Sequence, residues 1–266
     1  MKSLGKLIAG VAFVGAVIFA TLLVMGYSPQ ELRHLGEPRN VYDDHGHDVP
    51  LPFPEGRAER LLPEIPVATT GPFAFITVDG EDPVRHDPCR PIEWVLATAD
   101  LPAFAQPEVE AAIADISSRT GLQFTFAGTT DEVPNFERPL FQEERYGPGY
   151  APVIVGWSDA ARTPELAGTV SGVGGSTALP GAYGNQRYLR SGVVILDIDD
   201  LKRSLASSNG ALQVRAIIMH ELAHVLGLAH VDDPSQLMFG THDQQAGWGD
   251  GDLAGLAIAG AGPCES

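Results

Sequence analysis

One short segment has the residue types and the spacing of a metal-dependent hydrolytic site. His220 and His224 are four positions apart, so on a helix both imidazoles project from one face, as two ligands of a tetrahedral zinc require. Glu221 would lie beside the metal, where it can take a proton from a zinc-bound water. Gly227 permits the left-handed turn that brings His230 back as a third ligand. Three imidazoles leave one coordination position for water, which is typical of a catalytic zinc.

The segment HELAHVLGLAHVDDPSQLMF, residues 220–239, resembles the metzincin clan and, within it, the matrixin-like proteases of bacteria. Met238 follows His230 by eight residues, and the resemblance implies that it forms a hydrophobic floor under the histidines. It also implies a zincin-like fold, a peptide or protein substrate, and a cleft that crosses the zinc below an edge strand. On this basis the specificity wall is expected at residues 239–247.

The chain departs from the animal matrixins in ways that affect its ligands. It lacks their cysteine-switch motif, and no histidine occurs from 128 to 219 to hold their second, structural zinc. We therefore expect one catalytic Zn²⁺ only. Asp197, Asp199 and Asp200 are candidate ligands for a Ca²⁺ ion, although three acids at a strand end more often form a solvated turn.

The elements that must position the site alternate between strands and helices. This order predicts an α/β (α+β) fold, in which a twisted, mostly parallel sheet packs against an active-site helix, a backing helix and a C-terminal helix. Two glycine-rich stretches, 168–175 and 181–184, are expected to be loops or bends of an edge strand. Strands are predicted at 73–78, 92–96, 122–126, 152–157 and 193–198, and helices at 107–119, 212–226 and 250–259.

The catalytic domain is expected at residues 71–266. The region before it divides into two parts. Residues 1–27 contain an uncharged run, 7–25, whose helical length is close to the roughly 30 Å of a bilayer core. This pattern indicates a membrane anchor or a signal peptide, and the membrane is a partner only if the segment stays uncleaved. Residues 28–70 are rich in proline and are expected to be a linker or stalk.

Charge and cysteine content narrow the partners and the compartment. The formal net charge of −17 argues against nucleic acid as a partner, because such a surface repels phosphates. The two cysteines, Cys89 and Cys264, follow the apolar run and are expected to form a disulfide in an oxidising, extracytoplasmic compartment. We expect a monomer.

Two other functions fit the same residues. One is a zinc-binding surface or adhesion protein without hydrolytic activity, against which the intact Glu221 argues. The other is a metallohydrolase that acts on a non-peptide bond of the cell wall, since its metal chemistry would be the same and only the cleft would differ. The sequence favours a zinc-dependent endopeptidase over both.

Overall fold

A computed structural model of the chain describes residues 16–17, 19–21, 24, 31–34, 36–53, 59–240 and 246–265. The strands are β1 (Val41–Asp43), β2 (Asp48–Pro50), β3 (Ala74–Phe75), β4 (Val78–Asp79), β5 (Asp82–Pro83), β6 (Ile92–Ala97), β7 (Phe124–Thr130), β8 (Val153–Ser158), β9 (Gly172–Pro180), β10 (Arg187–Asp197) and β11 (Leu228–Ala229). The α-helices are α1 (Ala105–Thr120), α2 (Glu143–Tyr146), α3 (Ile198–Leu205), α4 (Gly210–Val225) and α5 (Asp250–Gly260). Two short 3-10 helices span Glu31–His34 and Pro164–Leu166.

Five strands form one mixed sheet in the order β7-β6-β8-β10-β9. The first four are mutually parallel, whereas β9 lies antiparallel to β10 at the edge. All six residues of β8 are buried, as expected for an inner strand of a parallel sheet that is covered on both faces. The predicted mostly parallel sheet with packed helices is therefore confirmed.

The large helices cover one face of this sheet and build the main core. Val109, Ile113 and Ile116 recur at helical spacing on α1 and are buried against the sheet. The helix ends at Gly121, whose φ of 65° lies in the left-handed region. Helix α4 packs against both α1 and β9, so the sheet edge and the helix that carries the histidines are direct neighbours.

The glycine-rich stretch 168–175 contributes to β9, the edge strand of the sheet. Gly172 and Gly174 face α4 so closely that a Cβ atom at position 174 would lie 2.2 Å from a backbone oxygen of that helix. Only glycine fits there, which explains why a strand carries so many glycines. The second stretch, 181–184, lies in the connection between β9 and β10.

Part of the expected linker contacts the domain. Strands β1 and β2 form a hairpin, and Leu51, just after it, is fully buried in a small cluster with Leu140 and Leu179. The backbone amide of Asn40 donates a 2.8 Å hydrogen bond to the Ala182 carbonyl. The domain boundary at residue 71 remains a prediction, with residues 36–53 packed against the residues that follow it.

Two further features concern the ends of the chain. Cys89 and Cys264 form a disulfide across 175 residues of sequence, and closing a loop of this size is worth about 5 kcal/mol on the chain-entropy model. Within the described residues, none of the helices has the length and apolarity needed to span a membrane. The predicted anchor or signal peptide, residues 1–27, lies outside the described part apart from short pieces between 16 and 24.

Candidate metal centre

Helix α4 carries the first half of the candidate site. His220 and Glu221 are buried, with 1% and 2% of their surface exposed, and His224 lies one turn further on. The helix ends just before Gly227, whose φ of 92° is left-handed and whose amide donates to the His224 carbonyl. The chain then turns back through β11, and His230 follows directly. The local sequence therefore folds as its glycine predicts.

The three histidines converge on one point. Their Nε2 atoms are 3.0 Å apart between His220 and His230, and 3.1 Å apart in the other two pairs. Three bonds of about 2.0–2.1 Å at tetrahedral angles would place the ligand nitrogens about 3.3 Å apart. The observed triangle is close to that size, so the three imidazoles fit a zinc ion.

Backbone carbonyls fix two of these rings in the form that a metal needs. The Nδ1 atom of His220 lies 2.7 Å from the Leu237 carbonyl oxygen, and Nδ1 of His224 lies 2.7 Å from that of Leu228. A carbonyl only accepts hydrogen bonds, so each Nδ1 is the protonated nitrogen and each Nε2 lone pair faces the centre of the triangle. Burial lowers the pKa of His230, which favours the neutral, metal-binding imidazole.

The turn that contains Met238 is fixed by a buried carboxylate on α5. Asp252 accepts hydrogen bonds from the backbone amides of Leu237, Met238 and Gly249, the last over 2.8 Å. Because the Leu237 carbonyl holds His220, this carboxylate positions a histidine that it does not touch. Met238 is 1% exposed, which agrees with the predicted buried floor.

Asp252 is a site residue that sequence reasoning missed. The local signal is an acid at the third position of the helix, where it can accept from the residue before the helix begins. That signal predicts a capped helix. It says nothing about the turn 14 or 15 residues earlier in the chain, because that contact is tertiary.

Glu221 follows the candidate ligand His220 on α4 and lies against the edge strand. A Cβ atom at position 172 would lie 2.8 Å from the Glu221 Cγ, so glycine is needed there to leave room for the carboxylate. Burial raises the pKa of Glu221 to about 8 in the metal-free chain. A cation held by the histidines would lower this pKa, because an opposite charge favours the ionised carboxylate.

Other predicted residues lie elsewhere or serve other roles. The three candidate calcium ligands lie at the start of α3, where Asp197 accepts from the Asp200 amide, Asp199 pairs with Lys202 and Asp200 pairs with Arg203. These contacts give the predicted calcium ion no support. In the predicted specificity wall, residues 241–245 lie outside the described part of the chain.

His86, which stands alone in the sequence, is a buried core histidine. Its Nε2 atom lies 3.0 Å from the Val225 carbonyl at the end of α4. Burial lowers the pKa of His86 to about 4, so the ring is neutral and acts as the donor in this hydrogen bond. It therefore supports the end of α4 without joining the metal triangle.

Comparison with known proteins places this geometry in a family. Residues 167–254 match the family described as Matrixin, peptidase M10. No curated protein matches the chain. Among solved structures, the GM1-bound form of the ECX AB5 holotoxin is 11% identical, covering 65% of this chain and 81% of that one at a TM-score of 0.35.

A second solved structure, archaemetzincin (amzA) from Methanopyrus kandleri, is 13% identical and covers 65% of this chain and 88% of that one at a TM-score of 0.34. Both structural likenesses are distant. The sequence match is different, because it spans the edge strand, all three histidines and Met238. Residues 167–254 therefore belong to a matrixin-family zinc metallopeptidase domain with a histidine triad.

Proposed function

We propose that this protein is a zinc-dependent endopeptidase that works outside the cytoplasm, with His220, His224 and His230 as zinc ligands and Glu221 as general base. The observation that carries the proposal is the convergence of three imidazole nitrogens, with two of the rings fixed by backbone carbonyls and with the buried Glu221 next to His220 on the same helix. When bound, zinc would polarise the scissile carbonyl and acidify the attacking water.

Glu221 has the placement that a proton carrier needs. Its carboxylate is shielded from bulk solvent by the edge strand and lies one residue from a metal ligand. In the ionised form it accepts a proton from the attacking water, and the same carboxyl then donates that proton to the amine that leaves.

The edge strand gives the substrate a place to bind. Among the described strands, β9 pairs on one side only, with β10, so its outer edge can accept an extended peptide by backbone hydrogen bonds. Helix α4 lies directly beside β9. A peptide on this edge would therefore run past the helix that carries His220 and His224.

The compartment and the domain organisation follow as parts of the same proposal. A disulfide between Cys89 and Cys264 is typical of an oxidising, extracytoplasmic environment. We therefore propose that residues 1–27 are an anchor or signal peptide and residues 71–266 the catalytic domain. Residues 28–70 would be the linker between them, with its hairpin packed against the domain. The proposed substrate is a peptide or protein, and the proposed oligomeric state is a monomer.

The decisive experiment compares Glu221→Gln with the parent chain. Glutamine keeps the shape that fits under Gly172 but cannot take up a proton. With full-length protein purified in detergent, we expect one zinc per chain in both, and about 10²–10⁴-fold slower cleavage of a denatured protein substrate by the variant. A chelator should abolish parent activity, and zinc should restore it.

Three results would contradict the proposal in different ways. Undiminished proteolysis by Glu221→Gln would remove the general-base role. A zinc-loaded parent that cleaves no peptide bond in a broad peptide library would point to a binding protein. Cleavage of purified cell-wall material, without any peptide-bond cleavage in proteins, would point to a different hydrolase.

A further inference from the structure

The two faces of the edge strand have different surroundings. Gly172 and Gly174 face α4, whereas the alternate residues, Val173 and Gly175, face the opposite side of the sheet. Gly175 pairs with Val193 of β10, which belongs to the small apolar cluster on that second face. A peptide bound to the outer edge of β9 would likewise direct alternate side chains to these two faces.

Gly175 lies beside the turn of α4 that carries the site. On one side of it, Gly174 lies against the backbone of Glu221. On the other side, the Ser176 hydroxyl donates a 2.8 Å hydrogen bond to the Val225 carbonyl. The segment from Glu221 to Val225 includes the ligand His224. The substrate residue opposite Gly175 would therefore be close to the scissile bond.

On the second face, the ring of Phe136 covers Gly175. Its Cε1 atom lies 3.6 Å from the position that a Cβ atom on Gly175 would take, which is ordinary van der Waals contact. Phe136 is still 44% exposed, so part of its apolar surface faces solvent. An apolar surface therefore borders the edge strand where the strand itself has no side chain.

The loop that carries Phe136 is anchored on both sides of it. Before it, Pro134 packs against Gly156 of β8, where a Cβ atom would lie 2.7 Å from the proline ring. After it, the buried Arg138 donates two hydrogen bonds to Glu132, of 2.8 and 2.7 Å, and a third, of 2.7 Å, to the Pro152 carbonyl. The loop on both sides of Phe136 is therefore anchored before any substrate arrives.

We propose that Phe136 determines substrate specificity by supporting the side chain of the substrate residue that lies across from Gly175. The inference rests on the proposed function and names its substrate class: peptides with a large apolar side chain at that position. An aromatic ring that covers a strand glycine forms a favourable pair with an apolar neighbour on the next strand. A glycine or a charged residue at that position would gain nothing from the ring.

The experiment profiles cleavage of a random peptide library by the zinc-loaded parent chain, Phe136→Ala, Phe136→Leu and a control, Val133→Ala. Val133 is on the same loop and is 64% exposed. The parent should prefer Leu, Met or Phe over Gly at one position near the scissile bond by about tenfold. Phe136→Ala should lose that preference at that position alone, Phe136→Leu should keep part of it, and Val133→Ala should keep all of it. Rates on peptides with glycine there should stay the same in all four proteins.

The outcomes separate this inference from the proposed function. A parent chain that cleaves no peptide would overturn both. Cleavage by the parent with an unchanged profile in both Phe136 variants would overturn the inference alone and would leave Phe136 as a cover for the sheet. A shift of the same size in Val133→Ala would also overturn it, because the effect would then belong to the whole loop.

Discussion

Two short segments of this chain are rich in metal-ligating residue types, and only one of them forms a candidate metal centre. Residues 43–48 carry three acids and two histidines within six positions, a higher density than residues 220–230. In the structure, the first segment is the tight turn of the β1–β2 hairpin. His45 and Gly46 at its centre have φ values of 59° and 84°, which is the geometry of a two-residue hairpin turn.

The side chains of the two segments serve different partners. In the turn, Asp44 is buried and accepts hydrogen bonds from the amides of Leu140 and Phe141, while both histidines are exposed. In the 220–230 segment, backbone carbonyls hold the rings of His220 and His224 so that their Nε2 atoms meet. The comparison indicates that ligand density is a poor guide to a metal site. Fixed ring orientation is what separates the two segments.

The largest expected effect tests whether the histidines of residues 220–230 bind zinc and those of residues 43–48 do not. We expect His224→Ala to retain close to none of the parent zinc and to lose proteolysis, because two imidazoles cannot complete a catalytic site. The double variant His45→Ala/His47→Ala should keep one zinc per chain. Metal analysis of the gel-filtered proteins measures both. Equal zinc loss in the two variants would mean that the hairpin turn also binds the metal.

A smaller loss of zinc binding is expected from a substitution that weakens the fixed orientation of His220. In Asp252→Asn the amide group replaces one of the acceptors that hold the Leu237 and Met238 amides, so the Leu237 carbonyl that orients His220 becomes less well placed. Zinc affinity should fall by about 10–100-fold, as for other residues that orient metal ligands. Competition with a chromophoric chelator measures this change.

Asp250→Asn provides the matched control for this prediction. Asp250 is on the same helix turn and is exposed, so its substitution should leave zinc affinity unchanged. If Asp252→Asn binds zinc as tightly as the parent while remaining folded, the positioning role of Asp252 is wrong.

The parts of this molecule that sequence could predict are those set by local chemistry. Helix α4 was expected at 212–226 and spans Gly210–Val225, because its apolar spacing and the left-handed glycine after it act within a few residues. Strand β8 was expected at 152–157 and spans Val153–Ser158, because a fully buried strand is a continuous apolar run. Both predictions are confirmed.

The parts that sequence could not predict depend on distant contacts. Glycine has low strand propensity, so the glycines of β9 favour a loop or a bend as much as a strand. Their reason lies in the close approach of α4, which is a tertiary contact. Helix α3 was missed because Ile198 continued the apolar strand before it. Asp197, which accepts from the Asp200 amide, is the capping signal that marks its start.

The smallest effect on the metal is expected from Asp44, the buried acid of the hairpin turn. Asp44→Asn should leave zinc content and cleavage unchanged, because the Asp44 side chain accepts from the amides of Leu140 and Phe141 and touches no histidine of the triangle. It should lower the free energy of unfolding by about 1–2 kcal/mol, since one buried amide loses its acceptor. Urea denaturation compares it with Asp48→Asn, an exposed neighbour in the same hairpin, which should have no effect. Loss of zinc in Asp44→Asn without loss of stability would contradict this prediction. The turn would then bind metal, and Asp44 would not anchor the hairpin.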